Sequence, residues 1–197
     1  MLTANSNLNV RKTLQPLPAL SPYQFSLQSS GMLQSIRRFL FEPSLPLWKY
    51  VLLTFPLALI GSCALFGTAL LAAVAAGLNV GALLPPDRVA SFSEILATLI
   101  FAPITETLIL AGLVKLLSVR ISRPAAIAAS SAALWGLFHG YFGALWFFGT
   151  VWSFFVFTCA YLAWRKNSIG HAFVAAALPH ALINATAMAL VFTASRA

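Results

Sequence analysis

The chain has 197 residues, of which 60% are hydrophobic and only 8% charged. A soluble domain carries about a quarter charged residues, so the composition excludes a soluble globular protein and predicts an all-α, polytopic integral membrane helical bundle. The formal charge of +8 is no nucleic-acid footprint and no nucleic-acid partner is expected, because the basic residues stand singly or in pairs at segment ends.

In chain order, residues 1–46 are expected to form an N-terminal tail with a short interfacial helix, and residues 47–197 a transmembrane domain. Residues 1–30 are rich in Ser, Asn, Gln and Pro. They lack the continuous apolar run of a secretory signal and read as a mobile cytoplasmic tail. Residues 31–41 (GMLQSIRRFLF) place Met32, Leu33, Ile36, Leu40 and Phe41 on one helical face and Arg37 and Arg38 off it. That pattern suits a helix lying among lipid headgroups.

About five transmembrane helices follow. The first covers 48–77 and contains Pro56; the second covers 91–119 and opens on a Ser91-x-x-Glu94 capping box. The stretch between Arg123 and Arg165 is uncharged. It has room for two spans of about 20 residues each, with a tight turn near His139–Gly143. The aromatic segment LWFFGTVWSFFVF in the second of these is expected to face lipid. The fifth span covers 168–193. Cys63 and Cys159 lie inside apolar segments without metal or redox spacing and read as buried free thiols. No internal repeat is visible.

The basic residues give an orientation. Arg11, Lys12, Arg37, Arg38 and Lys49 precede the first span; Lys115, Arg120 and Arg123 separate the second and third; Arg165 and Lys166 separate the fourth and fifth. Only Arg88 and Arg196 fall on the other side. The positive-inside rule then places the N-terminus in the cytoplasm and the C-terminus outside.

Polar residues inside the spans are the functional signal, since a charge at bilayer depth costs about 2.5–3.5 kcal/mol on insertion scales. Glu106 is the only acid deep in a span; Glu42 and Asp87 lie in flanking segments and Glu94 in the cap. Against Glu106 stand His139, His180 and Asn184. His180 and Asn184 are four apart and share a helical face, while His171 falls on the opposite face near the cytoplasmic end and reads as interfacial. Counted from the cytoplasmic ends of their spans, Glu106, His139, His180 and Asn184 all reach depths of roughly 18–24 Å. Three helices thus bring polar groups to one layer. Pro103 and Pro179 bend the helices beside them.

The order Glu106, Trp135-x-x-x-His139, His180-x-x-x-Asn184, with API before the glutamate, GLFHG around the first histidine and PHALINA around the second, resembles the CPBP family of intramembrane proteases. That family includes the CAAX prenyl proteases and bacteriocin-processing or immunity proteins. The resemblance covers about residues 95–190. It implies that Glu106, His139, His180 and Asn184 form a hydrolytic site. Glu106 with His139 would activate a water, and His180 with Asn184 would hydrogen-bond the oxyanion. The chain departs from the family's Glu-Glu-x-x-x-Arg motif: Thr107 stands in place of the second acid and Ala111 in place of the arginine. The departure bears on substrate choice and on activity itself.

The expected function is therefore an intramembrane endopeptidase acting on a membrane-anchored peptide or protein, with membrane lipid as its other partner, in the inner membrane of a bacterial cell. No cofactor is expected. A zinc-dependent hydrolase using Glu106 and the two histidines is the chemical alternative, although no HExxH spacing is present. A non-catalytic immunity factor or scaffold is the alternative of a different class. Oligomeric state is left open.

Overall fold

The computed structural model describes residues 22–85 and 91–194. Of the tail expected over 1–30, residues 1–21 lie outside the described residues, as do the charges Asp87, Arg88 and Arg196, while residues 22–30 are helical instead. The chain divides into two compact units, residues 1–35 and residues 36–197. Among the described residues there is no strand; the protein is an all-α membrane helical bundle. Its helices are α1 (Pro22–Phe41), α2 (Leu47–Ala75), the single turn α3 (Val80–Leu83), α4 (Phe92–Leu117), α5 (Pro124–Phe142), α6 (Ala144–Trp164) and α7 (Ile169–Ala194).

Residues 31–41 are helical as expected, forming the second half of α1, which starts earlier, at Pro22. In the first unit the Ser35 hydroxyl donates to the Gly31 carbonyl at 2.9 Å. In the second unit Leu40 is buried, and Tyr50 on α2 donates its hydroxyl to the Leu40 carbonyl at 3.4 Å. The bundle proper therefore begins before α2.

Local chemistry sets the helix ends. α2 stops at Gly77, whose φ of +67° is the left-handed conformation that glycine adopts without cost. The Leu78 and Gly77 amides turn back to the carbonyls of Ala73 and Val74, which closes the helix. α4 starts as predicted, with Ser91 Oγ accepting from the Glu94 amide at 3.2 Å. The tight turn expected near His139–Gly143 falls at Gly143, between α5 and α6. A side chain at Gly143 would meet the Leu84 carbonyl carbon and Pro85 nitrogen at 2.6 and 2.5 Å. Only glycine lets this turn pack so closely on the 84–85 backbone.

Among the described residues four helices are long and apolar enough to cross a membrane: α2, α4, α6 and α7 up to Thr193. α5, with 19 residues, is about 28 Å long and matches the bilayer core in length. Ser130, Ser131, His139 and Tyr141 lower its apolarity, and it packs chiefly along α6. About five spans is thus the frame. Glu106 of α4 meets His180 of α7 while Thr98 of α4 meets Asn184 of α7. The two helices therefore run antiparallel, as alternating spans require.

Two expectations are corrected here. The aromatic segment of α6 does not face lipid: 61% of its apolar window is buried, against 17%, 22% and 33% for α2, α4 and α7. A helix apolar all round fits either the centre of a bundle or its rim, and small residues on its neighbours decide for the centre. Gly61 of α2 lies under the Trp152 indole, where a Cβ would come within 2.0 Å of the ring, and Gly136 lies under Phe147. Trp152 also donates its indole N–H to the Leu57 carbonyl at 2.9 Å. Cys159 is buried as expected, but Cys63 is exposed on α2. Leu71, Leu116 and Ile60 are about two-thirds or more exposed and form part of the apolar outer surface that lipid covers.

Candidate active site

The layer predicted from depth counting exists as one cavity of about 770 Å³, lined by Glu106, His139, His180 and Asn184 together. α4 contributes Glu106, α5 contributes His139, and α7 contributes His180 and Asn184 from one face. Glu106 Oε2 stands 3.7 Å from His180 Nε2, an ion-pair separation longer than a hydrogen bond. Both histidines are more than nine-tenths buried. His171 is exposed, with its Nδ1 2.7 Å from Ser168 Oγ, in line with an interfacial role.

His139 has a defined tautomer. Its Nδ1 lies 2.9 Å from the Trp135 carbonyl oxygen, one turn earlier on α5. A carbonyl only accepts, so Nδ1 carries the hydrogen and Nε2 of the neutral ring holds a lone pair. The i, i+4 geometry of the helix supplies the backbone carbonyl that orients the ring, and the Trp135 indole itself packs 5.8 Å from the imidazole.

Asn184 is held by a break in α4. Residues Ala97–Phe101 form a π-turn in which the Ala102 amide bonds the Ala97 carbonyl five residues back. In that register the next donor, for the Thr98 carbonyl, would be residue 103, a proline without an N–H. Asn184 Nδ2 donates to the Thr98 carbonyl instead, at 2.8 Å. Pro103, the π-turn and Asn184 are thus one device. The amide nitrogen has two hydrogens, so one remains for a ligand. Replacing Asn184 by Ala is expected to destabilise the protein by about 1–2 kcal/mol, within the range for interhelical hydrogen bonds in membranes. In a Pro103→Ala background, where residue 103 regains its N–H, the same change is expected to cost less than about 0.5 kcal/mol. Thermal unfolding of the four proteins in detergent measures the difference.

Sequence reasoning missed the aromatic shell. Phe154 of α6 sits 5.4 Å from the His139 ring and 5.5 Å from the His180 ring, and stacks on Trp135 at 4.6 Å. Trp146 packs edge-on against His139 at 4.9 Å, and Phe157 stacks on His180 at 5.0 Å. The signal was in the sequence as LWFFGTVWSFFVF, but only the central position of α6 turns those rings inward. Polar groups were missed as well, Glu94 and Ser62 among them. Glu94, read as a helix cap, also lines the cavity. Ser62 of α2 lines it too, with a buried hydroxyl that has no hydrogen-bond partner among the described residues.

The positions that depart from the family motif point elsewhere. Thr107 is buried but is not among the cavity-lining residues, and Ala111 lines a separate groove. Among the described residues no three His, Cys, Asp or Glu side chains gather as a metal-binding group. No protein-family model matches the chain, and neither a curated protein nor a solved structure does.

Proposed function

We propose that the protein is an intramembrane endopeptidase of the CPBP type that hydrolyses a membrane-anchored peptide or protein with a water activated by Glu106. The observation that carries this reading is the convergence of the chain's only deep acid with two histidines and an amide on one cavity inside an otherwise apolar bundle. Groups this costly to bury mark functional sites in membranes by default.

The chemistry follows from the donor and acceptor inventory. Glu106 takes a proton from water as the oxygen attacks the scissile carbonyl carbon. The His139 Nε2 lone pair accepts the water's other hydrogen and fixes its direction. His180, beside Glu106, donates the N–H of its neutral ring to the oxyanion together with the remaining Asn184 N–H. The proton held by Glu106 then passes to the leaving nitrogen as the C–N bond breaks. Contacts such as the 3.7 Å Glu106–His180 approach are often long before substrate binds. The aromatic shell limits water in the cavity and strengthens these interactions.

A second reading, an inactive scaffold or immunity protein, is favoured by one observation. Two polar contacts between α4 and α7, Glu106 with His180 and Asn184 with Thr98, serve equally as interhelical ties. The two readings separate on substrate. Membranes from cells making the native chain are compared by quantitative proteomics with membranes from cells making the Glu106→Gln protein at equal abundance. The protease reading expects at least one precursor to accumulate uncut with the variant, with its fragments present only with the native chain. Identical fragment sets would sink it and leave the scaffold.

A further inference from the structure

A second concavity, of about 610 Å³, lies at the opposite end of α4 from its capping box, between the last turns of α4 and α6 and the start of α7. Its walls bring together Lys115 from α4 and Arg165 and Lys166 from the turn after α6. None of the three has a carboxylate partner among the described residues. Lys166 reaches the Phe41 carbonyl at 3.4 Å, which places the segment before α2 at the same end.

Helix-end cations are ordinarily explained by topology and by the helix dipole. Two features here need more than that. Tyr161, 93% buried by its 7% exposure, also lines the groove, and its hydroxyl has no hydrogen-bond partner among the described residues. The first turn of α7 enters the groove at Ile169, and its leading amides carry the positive end of a 26-residue helix. Three cations, an unused phenol and Ile169 from the first turn of α7 line one groove, while Ala111 and Gly112 leave room beside them; one leading amide of α7, that of His171, is already taken by Ser168 Oγ at 3.0 Å. Ser118 adds no donor, because its hydroxyl hydrogen is committed to the Val114 carbonyl at 2.7 Å.

We infer that this groove binds the phosphate of an anionic phospholipid headgroup. The bundle end that carries Arg120, Arg123, Arg165 and Lys166 lies at headgroup level, and the exposed Leu116 and Ile169 side chains offer an apolar wall along which acyl chains lie. The phosphodiester accepts from Arg165, Lys115 and the free hydrogens of Lys166, with Tyr161 as a neutral donor from below. This site is independent of the chemistry in the aromatic-walled cavity.

The test uses the full chain in a neutral detergent, titrated with phosphatidylglycerol, with phosphatidylcholine of the same acyl chains, and with inorganic phosphate, and read by native mass spectrometry and thermal unfolding. Phosphatidylglycerol is expected to bind at least tenfold more tightly than phosphatidylcholine, and inorganic phosphate to leave the unfolding temperature unchanged. Arg165→Gln is expected to weaken phosphatidylglycerol about fivefold, and Tyr161→Phe, which keeps the ring packing, by a smaller but measurable factor. The paired control Arg120→Gln/Arg123→Gln removes two charges at the same end outside the groove and is expected to change binding less than twofold. Equal binding of the two lipids overturns the proposal. So does saturation by phosphate alone, which would make the groove a free-anion site. Equal losses in the groove and control variants overturn it too, as they would reduce it to diffuse surface charge.

Discussion

Replacing Glu106 by Gln is expected to lower substrate processing by about 10²–10⁴-fold, the usual contribution of a general base, while leaving the bundle as stable as before or more so. The amide keeps the shape of the carboxyl and can still meet His180, 3.7 Å away in the native protein. It also removes a charge from inside the membrane layer, which relieves desolvation. Loss of activity without loss of stability is therefore specific to a chemical role. A residue serving only as an interhelical tie gives the opposite pattern, a less stable protein with unaltered processing. Single-turnover cleavage of an accumulated precursor, measured beside thermal unfolding, separates the two. Processing within a factor of a few of the native rate would show that Glu106 is not the base.

Replacing His180 by Ala is expected to carry the largest stability cost, about 3 kcal/mol. That is within the range for removing a large buried side chain and leaving its polar neighbour without a partner, and it is kept at the low end because the Glu106 side chain keeps 21% exposure. Part of the loss is the stranded carboxylate and part is the imidazole that stacks on Phe157 and packs edge-on against Phe154. Made in a Glu106→Gln background, the same change strands no carboxylate and removes the ring packing together with the weaker amide–imidazole contact. The coupling between the two positions is then expected to be about 1–2 kcal/mol. Denaturant titration in mixed micelles of the two single variants and the double variant reports it. A coupling near zero would mean that the two side chains do not interact in the folded protein.

The residues of the cavity were legible before any coordinates because the membrane makes polar groups conspicuous. In a chain with four acids and three histidines, a glutamate, two histidines and an asparagine at one depth stand out against apolar surroundings. The Ser91 cap and the Gly143 turn were legible because each depends on a few adjacent residues. Three things were not. The π-turn at Ala97–Phe101 follows from Pro103, but the Asn184 amide that satisfies it lies 86 residues away. The lining role of Glu94 was hidden by its equally real role as a cap. The basic groove was invisible because Lys115 and the Arg165–Lys166 pair lie 50 residues apart and meet only when α4 and α6 end side by side.

By itself, then, the sequence determined that this chain is an all-helical membrane protein, roughly where its spans start and stop, and which polar side chains lie inside them. Those properties depend on composition, period and local backbone chemistry, which are written in short windows. Only the tertiary structure decided which span is central. α2, α6 and α7 are all apolar around their circumference, and hydrophobicity cannot rank them when lipid and protein interior are equally apolar. The choice fell to shape: glycines at 61 and 136 admit the Trp152 and Phe147 rings of α6, and that placement puts Phe154 between the two histidines.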